Sequence, residues 1–234
     1  MKPLADCRLY AFVDTAFLRG RPPEDIARRL CAGGADLIQL RAKGLPAAEV
    51  QRLAGRILPV TRSAGVGLMI NDHPALALAV GALGCHLGQE DFAATGCANV
   101  RELFATGSPV SPQRSAAGHQ PSTSNREPLI GLSTHAPAEA QRAVAAGADY
   151  LGVGPVFATG TKPDARPVTP DYVRWAAANV TIPWFAIGGI NLDTLDAVLT
   201  AGARRVCVVS AILSAPDIAG TCRQFKERLL SAAP

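Results

Sequence analysis

Short apolar runs alternate with longer amphipathic stretches, and the alternation repeats eight times along the chain. The runs carry few polar positions, which is typical of parallel strands that are covered on both faces. The predicted strands are Leu9–Val13, Leu37–Leu40, Val66–Ile70, Cys85–Leu87, Leu129–Leu132, Tyr150–Val153, Trp184–Ile187 and Val206–Val209. Helical periodicity follows the strands, for example in Ala47–Arg62, Pro137–Ala146, Asp193–Ala201 and Ile218–Leu230.

A short glycine-containing phrase separates helix from strand at four places in the chain. Gly34, Gly81, Gly147 and Gly202 each follow a helical stretch and precede an apolar run, as expected where a helix ends in a left-handed turn. Each interval between these glycines is long enough for two strand–helix units. Eight such units predict an α/β fold, a single (β/α)₈ TIM barrel over residues 1–234, with a doubly wound open sheet as the alternative.

One segment departs from this alternation. Residues 106–128 are rich in Ser, Pro, Gly, Asn and Gln, a composition that buries too little apolar area to order itself. We interpret the segment as a flexible insertion between a fourth helix, predicted at Asn99–Ala105, and the fifth strand. A loop at that point lies at the bottom of a barrel, opposite the face that carries barrel active sites.

Composition narrows the class of protein. Hydrophobic residues make up 48% and charged residues 18% of the 234 positions, which suits a large buried core. The net charge is +4, and the sequence contains no block of Lys and Arg residues. No apolar run approaches the roughly 20 residues of a membrane span. The first residues lack the apolar region of a signal peptide. The six cysteines form no CxxC pair. We therefore expect a cytoplasmic protein with reduced, mostly buried cysteines and with no nucleic-acid or membrane partner.

Polar side chains at the end of the second strand indicate an anion site. Gln39, Arg41 and Lys43 alternate along the strand, so they point to one side, which in a barrel is the interior or the mouth. The two cations have no acidic partner nearby in the sequence, and a buried charge without a partner is costly. We favour an anion clamp over the alternative, a salt bridge across the barrel.

Two carboxylates follow the neighbouring strands. Asp72 comes after the third strand and Asp91 after the fourth, and Mg²⁺ requires only one or two carboxylates when a substrate pyrophosphate supplies other ligands. Either residue alone would suit a helix N-cap, particularly Asp72, which precedes Pro74. Their position facing Arg41 and Lys43 favours a metal site.

Ser133 and His135 end the fifth strand. Ser133 can donate to a phosphate or cap the helix that begins near Pro137. His135 by itself is more typical of a structural histidine than of a general base. His86, in the fourth strand, lacks metal-ligand spacing and is interpreted as structural.

The last strands carry the features of a phosphate pocket. The loop after the sixth strand is glycine-rich and contains two threonines and a lysine, although it lacks the residue order of a Walker loop. These residues are Thr159, Thr161 and Lys162. Gly188 and Gly189 follow the seventh strand and Ser210 follows the eighth, where barrels hold phosphate on backbone N–H groups. The pattern predicts two anion sites at one mouth, and a reaction in which one of two phosphorylated substrates loses pyrophosphate.

Seven motifs in register resemble those of the thiamine-phosphate synthase family. The motifs are Gln39–Lys43, Ile70–Asp72, His86–Asp91, Gly131–His135, Gly154–Lys162, Ala186–Ile190 and Val208–Ile212. They cover the second to the eighth strand in order, which is nearly the whole chain apart from residues 106–128.

The resemblance implies a transferase that joins hydroxymethylpyrimidine pyrophosphate to a thiazole phosphate and releases thiamine monophosphate and pyrophosphate. It implies Mg²⁺ as cofactor, bound by Asp72 and Asp91, and a dissociative reaction in which pyrophosphate leaves first. The residues that it implies for the pyrimidine pyrophosphate are Gln39, Arg41, Lys43, Asn71, Ser133 and Lys162, and those that would also act in catalysis are Arg41, Lys43, Ser133 and Lys162. The residues that it implies for the thiazole phosphate are Thr159, Thr161, Gly188, Gly189, Val209 and Ser210.

The sequence departs from the family pattern at several positions. In the family pattern, acidic residues flank the lysine, whereas this sequence has Ala42 and Gly44 on either side of Lys43. Ala158 stands where the family commonly has proline, and His73 stands where it frequently has arginine. None of these positions is a ligand implied by the resemblance. Ala42 and Gly44 bear on the orientation of Lys43.

Two alternatives share the fold and the phosphate pocket. A thiazole tautomerase-like isomerase needs neither Mg²⁺ nor a pyrophosphate clamp, and a non-catalytic thiazole-phosphate-binding barrel would show no turnover. The presence of Asp72, Asp91, Thr161 and Lys162 favours the synthase. The pattern leaves self-association into a homo-oligomer open, since exposed barrel helices often pair.

Overall fold

Eight parallel strands pair in sequence order, and the first also pairs with the last. The computed structural model describes residues 1–105, 127–159 and 167–232. The strands are β1 (Leu9–Asp14), β2 (Leu37–Arg41), β3 (Gly67–Asn71), β4 (Gly84–Leu87), β5 (Leu129–Thr134), β6 (Tyr150–Val153), β7 (Trp184–Ile187) and β8 (Val206–Cys207). The sheet is closed, so the predicted (β/α)₈ TIM barrel is confirmed and the open sheet is excluded.

Helices cover the outside of the barrel. In the described residues they are α1 (Pro23–Ala32), α2 (Ala47–Ser63), α3 (Pro74–Val80), α4 (Gln89–Ala94), α5 (Pro137–Ala145), α6 (Thr169–Asn179), α7 (Leu195–Thr200), α8 (Ser210–Leu213) and α9 (Ile218–Ser231). Their apolar faces are buried, as in α1, where Ile26 and Leu30 lie against the barrel side. No helix in this part of the chain is long and apolar enough to span a membrane.

The helix predicted at Asn99–Ala105 is corrected by the structure. That stretch holds a short 3₁₀ helix, Val100–Phe104, in which the Asn99 side chain accepts a hydrogen bond from the backbone N–H of Arg101. The α-helix after β4 is the earlier segment Gln89–Ala94. A helix of six residues shows less than two turns of periodicity, so its pattern is too short to recognise. The predicted insertion lies outside the described residues, except for its last two positions.

An aromatic cluster fills the barrel interior below the carboxyl ends of the strands. The ring centroids of Tyr10 and Phe185 are 5.4 Å apart, those of Tyr150 and Phe185 are 5.8 Å apart, and all three side chains are fully buried. A Cβ atom on Gly131 would lie 2.0 Å from Cζ of Tyr150, so the glycine in β5 makes room for this ring. The cluster forms the base of the cavity described next.

Candidate active site

An open cavity of about 110 Å³ lies at the carboxyl ends of the strands. Nine of the predicted site residues line it, namely Gln39, Arg41, Asn71, Ser133, Thr159, Gly188, Gly189, Val209 and Ser210. Lys43, Asp72 and Asp91 follow the ends of β2, β3 and β4 outside its lining. Thr161 and Lys162 fall outside the described residues.

The guanidinium of Arg41 is paired with a carboxylate that sequence reasoning missed. Asp14, the last residue of β1, is the register partner of Arg41, and its Oδ2 accepts a hydrogen bond from Nη1 of Arg41 at 2.8 Å. Asp14 is 1% exposed, and its Oδ1 accepts from the backbone N–H of Ala16. The acidic partner of Arg41 is therefore distant in the sequence, and the pairing of β1 with β2 brings it beside the guanidinium.

Lys43 also has an acidic partner. Its Nζ lies 2.5 Å from Oδ2 of Asp72, and about half of the lysine side chain is exposed. Asp72 does not cap α3, since His73 holds the N-cap position and makes no side-chain capping bond. The φ of Asp72 is +63°, a left-handed conformation that an L-residue adopts at some cost. The backbone thus holds the Asp72 carboxylate at the mouth, beside Lys43.

Asp91 lies in the first turn of α4 and is exposed. Its carboxylate makes no hydrogen bond or ion pair with any described residue. Asp72 follows β3 and Asp91 follows β4, and these two strands are neighbours in the sheet. In the described part of the chain, no three His, Cys, Asp or Glu side chains converge as a metal site. Two carboxylates at adjacent strand ends fit Mg²⁺ when the substrate and water supply the remaining oxygen ligands.

Ser133 faces the cavity and contacts a histidine that the sequence analysis interpreted as structural. Oγ of Ser133 lies 2.9 Å from Nε2 of His86, and Nδ1 of His86 lies 3.1 Å from the hydroxyl of Tyr150. The N-cap of α5 is Ala136, so Ser133 does not cap that helix. His86 lines the cavity. Its position inside a strand, between two apolar residues, was the sequence feature that could have identified it as a site residue.

His135 is exposed and also lines the cavity. Its Nδ1 contacts the carbonyl of Gly154.

Another part of the cavity wall is built from backbone. Gly188 and Gly189 both have positive φ, +100° and +65°, and they pack against the loop that follows β6. A Cβ on Gly188 would lie 2.3 Å from Cβ of Pro155, and one on Gly189 would lie 2.5 Å from the carbonyl oxygen of Ala158. The glycines therefore let the two loops approach closely and expose main-chain groups to the cavity.

The start of α8 completes this wall. Val209 is its N-cap and Ser210 its first residue, and both line the cavity. The first N–H groups of a helix have no partner within the helix. Cys207 also reaches the cavity, but burial raises the pKa of its thiol well above the ordinary value, so it stays protonated.

A closed barrel whose mouth carries cationic side chains and glycine-rich backbone has the features of the phosphate-binding (β/α)₈ enzymes. The model of the family described as thiamine monophosphate synthase matches residues 9–111 and 117–212. The chain therefore belongs to the thiamine monophosphate synthase family. The resemblance seen in the seven sequence motifs is confirmed, and with it the transferase class.

Individual relatives agree with the family assignment. A thiamine-phosphate synthase from Thermus thermophilus is 44% identical over 210 residues, 89% of this chain and 90% of the relative. A thiamine-phosphate synthase from Acidothermus cellulolyticus is 43% identical over 232 residues, 98% of each chain. Among solved structures, a thiamine phosphate pyrophosphorylase from Pyrococcus furiosus superposes with a TM-score of 0.79 at 29% identity, covering 99% of both chains.

Proposed function

We propose that this protein joins hydroxymethylpyrimidine pyrophosphate to a thiazole phosphate, giving thiamine monophosphate and pyrophosphate. One observation carries the proposal: a single cavity is lined both by the cationic side chain of Arg41 and by the glycine-rich segment at Gly188, Gly189 and Ser210. Two anionic substrates can therefore meet in it, each with its phosphates at a different anion-binding part of the wall. The family membership supports the same reaction.

The pyrophosphate end of the site uses cations and carboxylates. Arg41 would bind the pyrophosphate oxygens in the position that Asp14 gives it. Lys43 can turn from Asp72 toward the same ligand. The proposed set also includes Asn71 and Lys162. Asp72 and Asp91 would hold Mg²⁺, which supplies positive charge against the charge that develops on the departing pyrophosphate. These residues stabilise the leaving group, which suits a dissociative substitution.

The pyrimidine would lie deeper, over the aromatic cluster. Gln39 and Ser133 line this part of the cavity and offer polar contacts to the ring. Tyr10 and Tyr150 exclude water from beneath it, because both are fully buried. Breaking the carbon–oxygen bond leaves a positive charge on the pyrimidine methylene, and a dry pocket protects it from capture by water.

The thiazole phosphate would bind on the backbone wall. Thr159, Thr161, Gly188, Gly189, Val209 and Ser210 form the proposed set. The thiazole nitrogen attacks with its own lone pair and carries no proton, so no residue needs to act as a base in this step.

A coupling assay tests the proposal. Purified protein is given both substrates with and without Mg²⁺, and thiamine monophosphate and pyrophosphate are measured. We expect product only with the metal, and a loss of about a hundredfold or more in Asp72→Asn and Asp91→Asn, because each removes a ligand that neutralises the leaving group. Asp196→Asn, on the exposed face of α7, is the matched control and should retain full activity.

Two results would contradict the proposal. Full activity in the Asp72→Asn, Asp91→Asn double variant excludes this metal site. Failure of the wild-type protein to form product, combined with tight binding of thiazole phosphate, excludes the synthase reaction and favours an isomerase or a non-catalytic binding barrel.

We further propose that the protein acts in the cytoplasm on small molecules, without nucleic acid or membrane as partners.

A further inference from the structure

A continuous chain of hydrogen bonds crosses the barrel interior beneath the cavity. Nε2 of Gln39 donates to the hydroxyl of Tyr10 at 2.7 Å, and the hydroxyls of Tyr10 and Tyr150 are 3.1 Å apart. Tyr150 then contacts Nδ1 of His86, and Nε2 of His86 contacts Oγ of Ser133. Five side chains from β1, β2, β4, β5 and β6 therefore form one line that ends at the cavity wall.

The atom positions fix the donor only in the first bond, and that donor favours one direction for the bonds that follow. An amide NH₂ group can only donate, so the oxygen of Tyr10 accepts and its hydrogen is free for Tyr150. Tyr150 accepts that hydrogen and passes its own to Nδ1 of His86. Nδ1 is then the acceptor of the ring, and Nε2 carries the hydrogen and donates it to Ser133.

The end of the chain is the hydroxyl of Ser133. In this direction the oxygen of Ser133 accepts the hydrogen of His86 Nε2, which is the hydrogen-bond partner that the described residues provide for Oγ. The hydrogen of the hydroxyl therefore points to the cavity. Reversal of the chain would instead make Ser133 donate to His86 and leave only lone pairs facing the cavity.

The surroundings hold this chain in one arrangement. Both phenol rings are fully buried, and burial raises the pKa of Tyr10 and of Tyr150 well above the ordinary value, so each keeps its single hydrogen. The Tyr150 ring occupies the space that a side chain on Gly131 would fill. A Cβ on Gly152 would lie 3.3 Å from Cε1 of His86, so this glycine gives the imidazole its room.

We propose that Tyr10 and Tyr150 are positioning residues: they fix the tautomer of His86, and through it they make Ser133 a hydrogen-bond donor to the ligand. Ser133 would thus select an acceptor, such as an unprotonated nitrogen of the pyrimidine ring, and disfavour an amino group at the same place. The ligand identity rests on the proposed function, whereas the direction of the chain is inferred from the amide donor of Gln39 at its first link.

Nitrogen NMR of the ligand-free protein tests the direction. The chain has four histidines, and the His86 signal is identified by its loss in a His86→Gln variant. We expect hydrogen on Nε2 and a bare Nδ1 in the wild type. In Tyr150→Phe, Nδ1 loses its donor and the ring should become a mixture of tautomers, whereas Tyr10→Phe, one link further away, should shift the balance less.

Kinetics of the same variants test the consequence. In Tyr150→Phe, KM for the pyrimidine substrate should rise about five- to tenfold, the loss expected from one misdirected hydrogen bond, while KM for the thiazole phosphate stays within about twofold. Tyr172→Phe is the matched control. It removes another buried hydroxyl, which donates to Thr134 at 2.7 Å, and it should lower the melting temperature without moving the His86 tautomer or either KM.

Two results would overturn the inference. One is a wild-type His86 with its hydrogen on Nδ1, and the other is a Tyr150→Phe variant with the tautomer and KM of the wild type. Because the NMR measurement needs no substrate, a protein without synthase activity would contradict the proposed function and still decide the direction of the chain.

Discussion

The guanidinium of Arg41 owes its position to a carboxylate on the neighbouring strand. Asp14 is buried and is bound at both oxygens, by Arg41 on one side and by the backbone N–H of Ala16 on the other. A buried carboxylate in such a fixed position holds a cation that is only 15% exposed at the wall of the cavity. Arg41 is therefore oriented before an anionic ligand arrives, which reduces the entropy cost of binding.

Asp14→Asn tests this role. An amide keeps the bond to Ala16 but loses the charge that holds Arg41, so KM for the pyrophosphate substrate should rise about tenfold. Steady-state kinetics with each substrate varied in turn measure the effect. Asp25→Asn, which alters an exposed ion pair with Arg28, is the control and should change neither KM, since exposed pairs contribute little. A KM unchanged in Asp14→Asn would show that Arg41 needs no such support.

The sequence predicted site residues from their place in or just after a strand, and missed those whose role depends on contacts between strands. Gln39 and Arg41 line the cavity as expected because alternation along β2 determines their direction. Asp14 directly follows the predicted first strand, and its partner and that of Tyr150 lie on other strands that are distant in the sequence. Only the register of β1 with β2 and the packing across the barrel bring these groups together.

The loop after β6 and the turn after β7 pack as one unit. The N–H groups of Val156 and Phe157 donate to the carbonyls of Ile187 and Gly188, at 2.8 and 3.0 Å. This pairing works only because Gly188, with φ of +100°, leaves no Cβ against Pro155. These two bonds attach the loop after β6 to the end of β7, so the backbone wall of the cavity is supported by the barrel.

Gly188→Ala should separate these two segments. The variant places a Cβ 2.3 Å from Cβ of Pro155. It also forces a side chain into a left-handed backbone conformation, which costs roughly 1–3 kcal/mol. The free energy of unfolding should therefore fall, and KM for thiazole phosphate should rise. Gly55→Ala, in α2 with open space around it, is the opposite case and should stabilise the protein by about 0.5–1 kcal/mol. Urea unfolding and substrate kinetics measure both. Equal effects of the two substitutions would contradict the packing argument.

The hydrophobic pattern fixes the bounds of some elements and not of others. The bounds of β6 and β7 agree with the apolar runs, and α2 differs from its prediction by one residue, because buried faces leave a direct mark on the sequence. The predicted eighth strand, Val206–Val209, ends early at Cys207, since Ser210 already starts α8. Backbone hydrogen bonding decides such short boundaries, and the hydrophobic pattern does not record it.

The two ends of the described chain meet at one buried carboxylate on the bottom of the barrel. Asp36, just before β2 and 7% exposed, binds Lys2 at 2.8 Å and Lys226 of α9. It also accepts the backbone N–H groups of Arg8 and Leu9 at the start of β1, at 2.8 and 3.1 Å. This residue thus joins the N-terminal segment, the first two strands and the last helix, on the face opposite the cavity.

The pH dependence of stability follows from this junction. Burial alone would raise the pKa of Asp36, but the hydrogen bonds from Lys2, Lys226 and the two backbone N–H groups outweigh it and hold the pKa below the usual value. A carboxyl with a lowered folded-state pKa stabilises the protein above its unfolded pKa of about 4, and this contribution is lost as the pH falls through the folded-state value. Acid should therefore loosen the barrel at the bottom, away from the site.

Asp36→Asn should remove this dependence. At pH 7 the variant leaves two cations without their carboxylate, and the free energy of unfolding should fall by roughly 3 kcal/mol. Below pH about 4 the difference from the wild type should shrink, because the unfolded wild type binds a proton there, and it should disappear once the pH falls below the lowered folded-state pKa of Asp36. Urea unfolding at both pH values measures this, with Asp6→Asn, an exposed carboxylate of the same segment, as the control. A difference that stays constant between the two pH values would place the stabilising effect of Asp36 in packing and not in its charge.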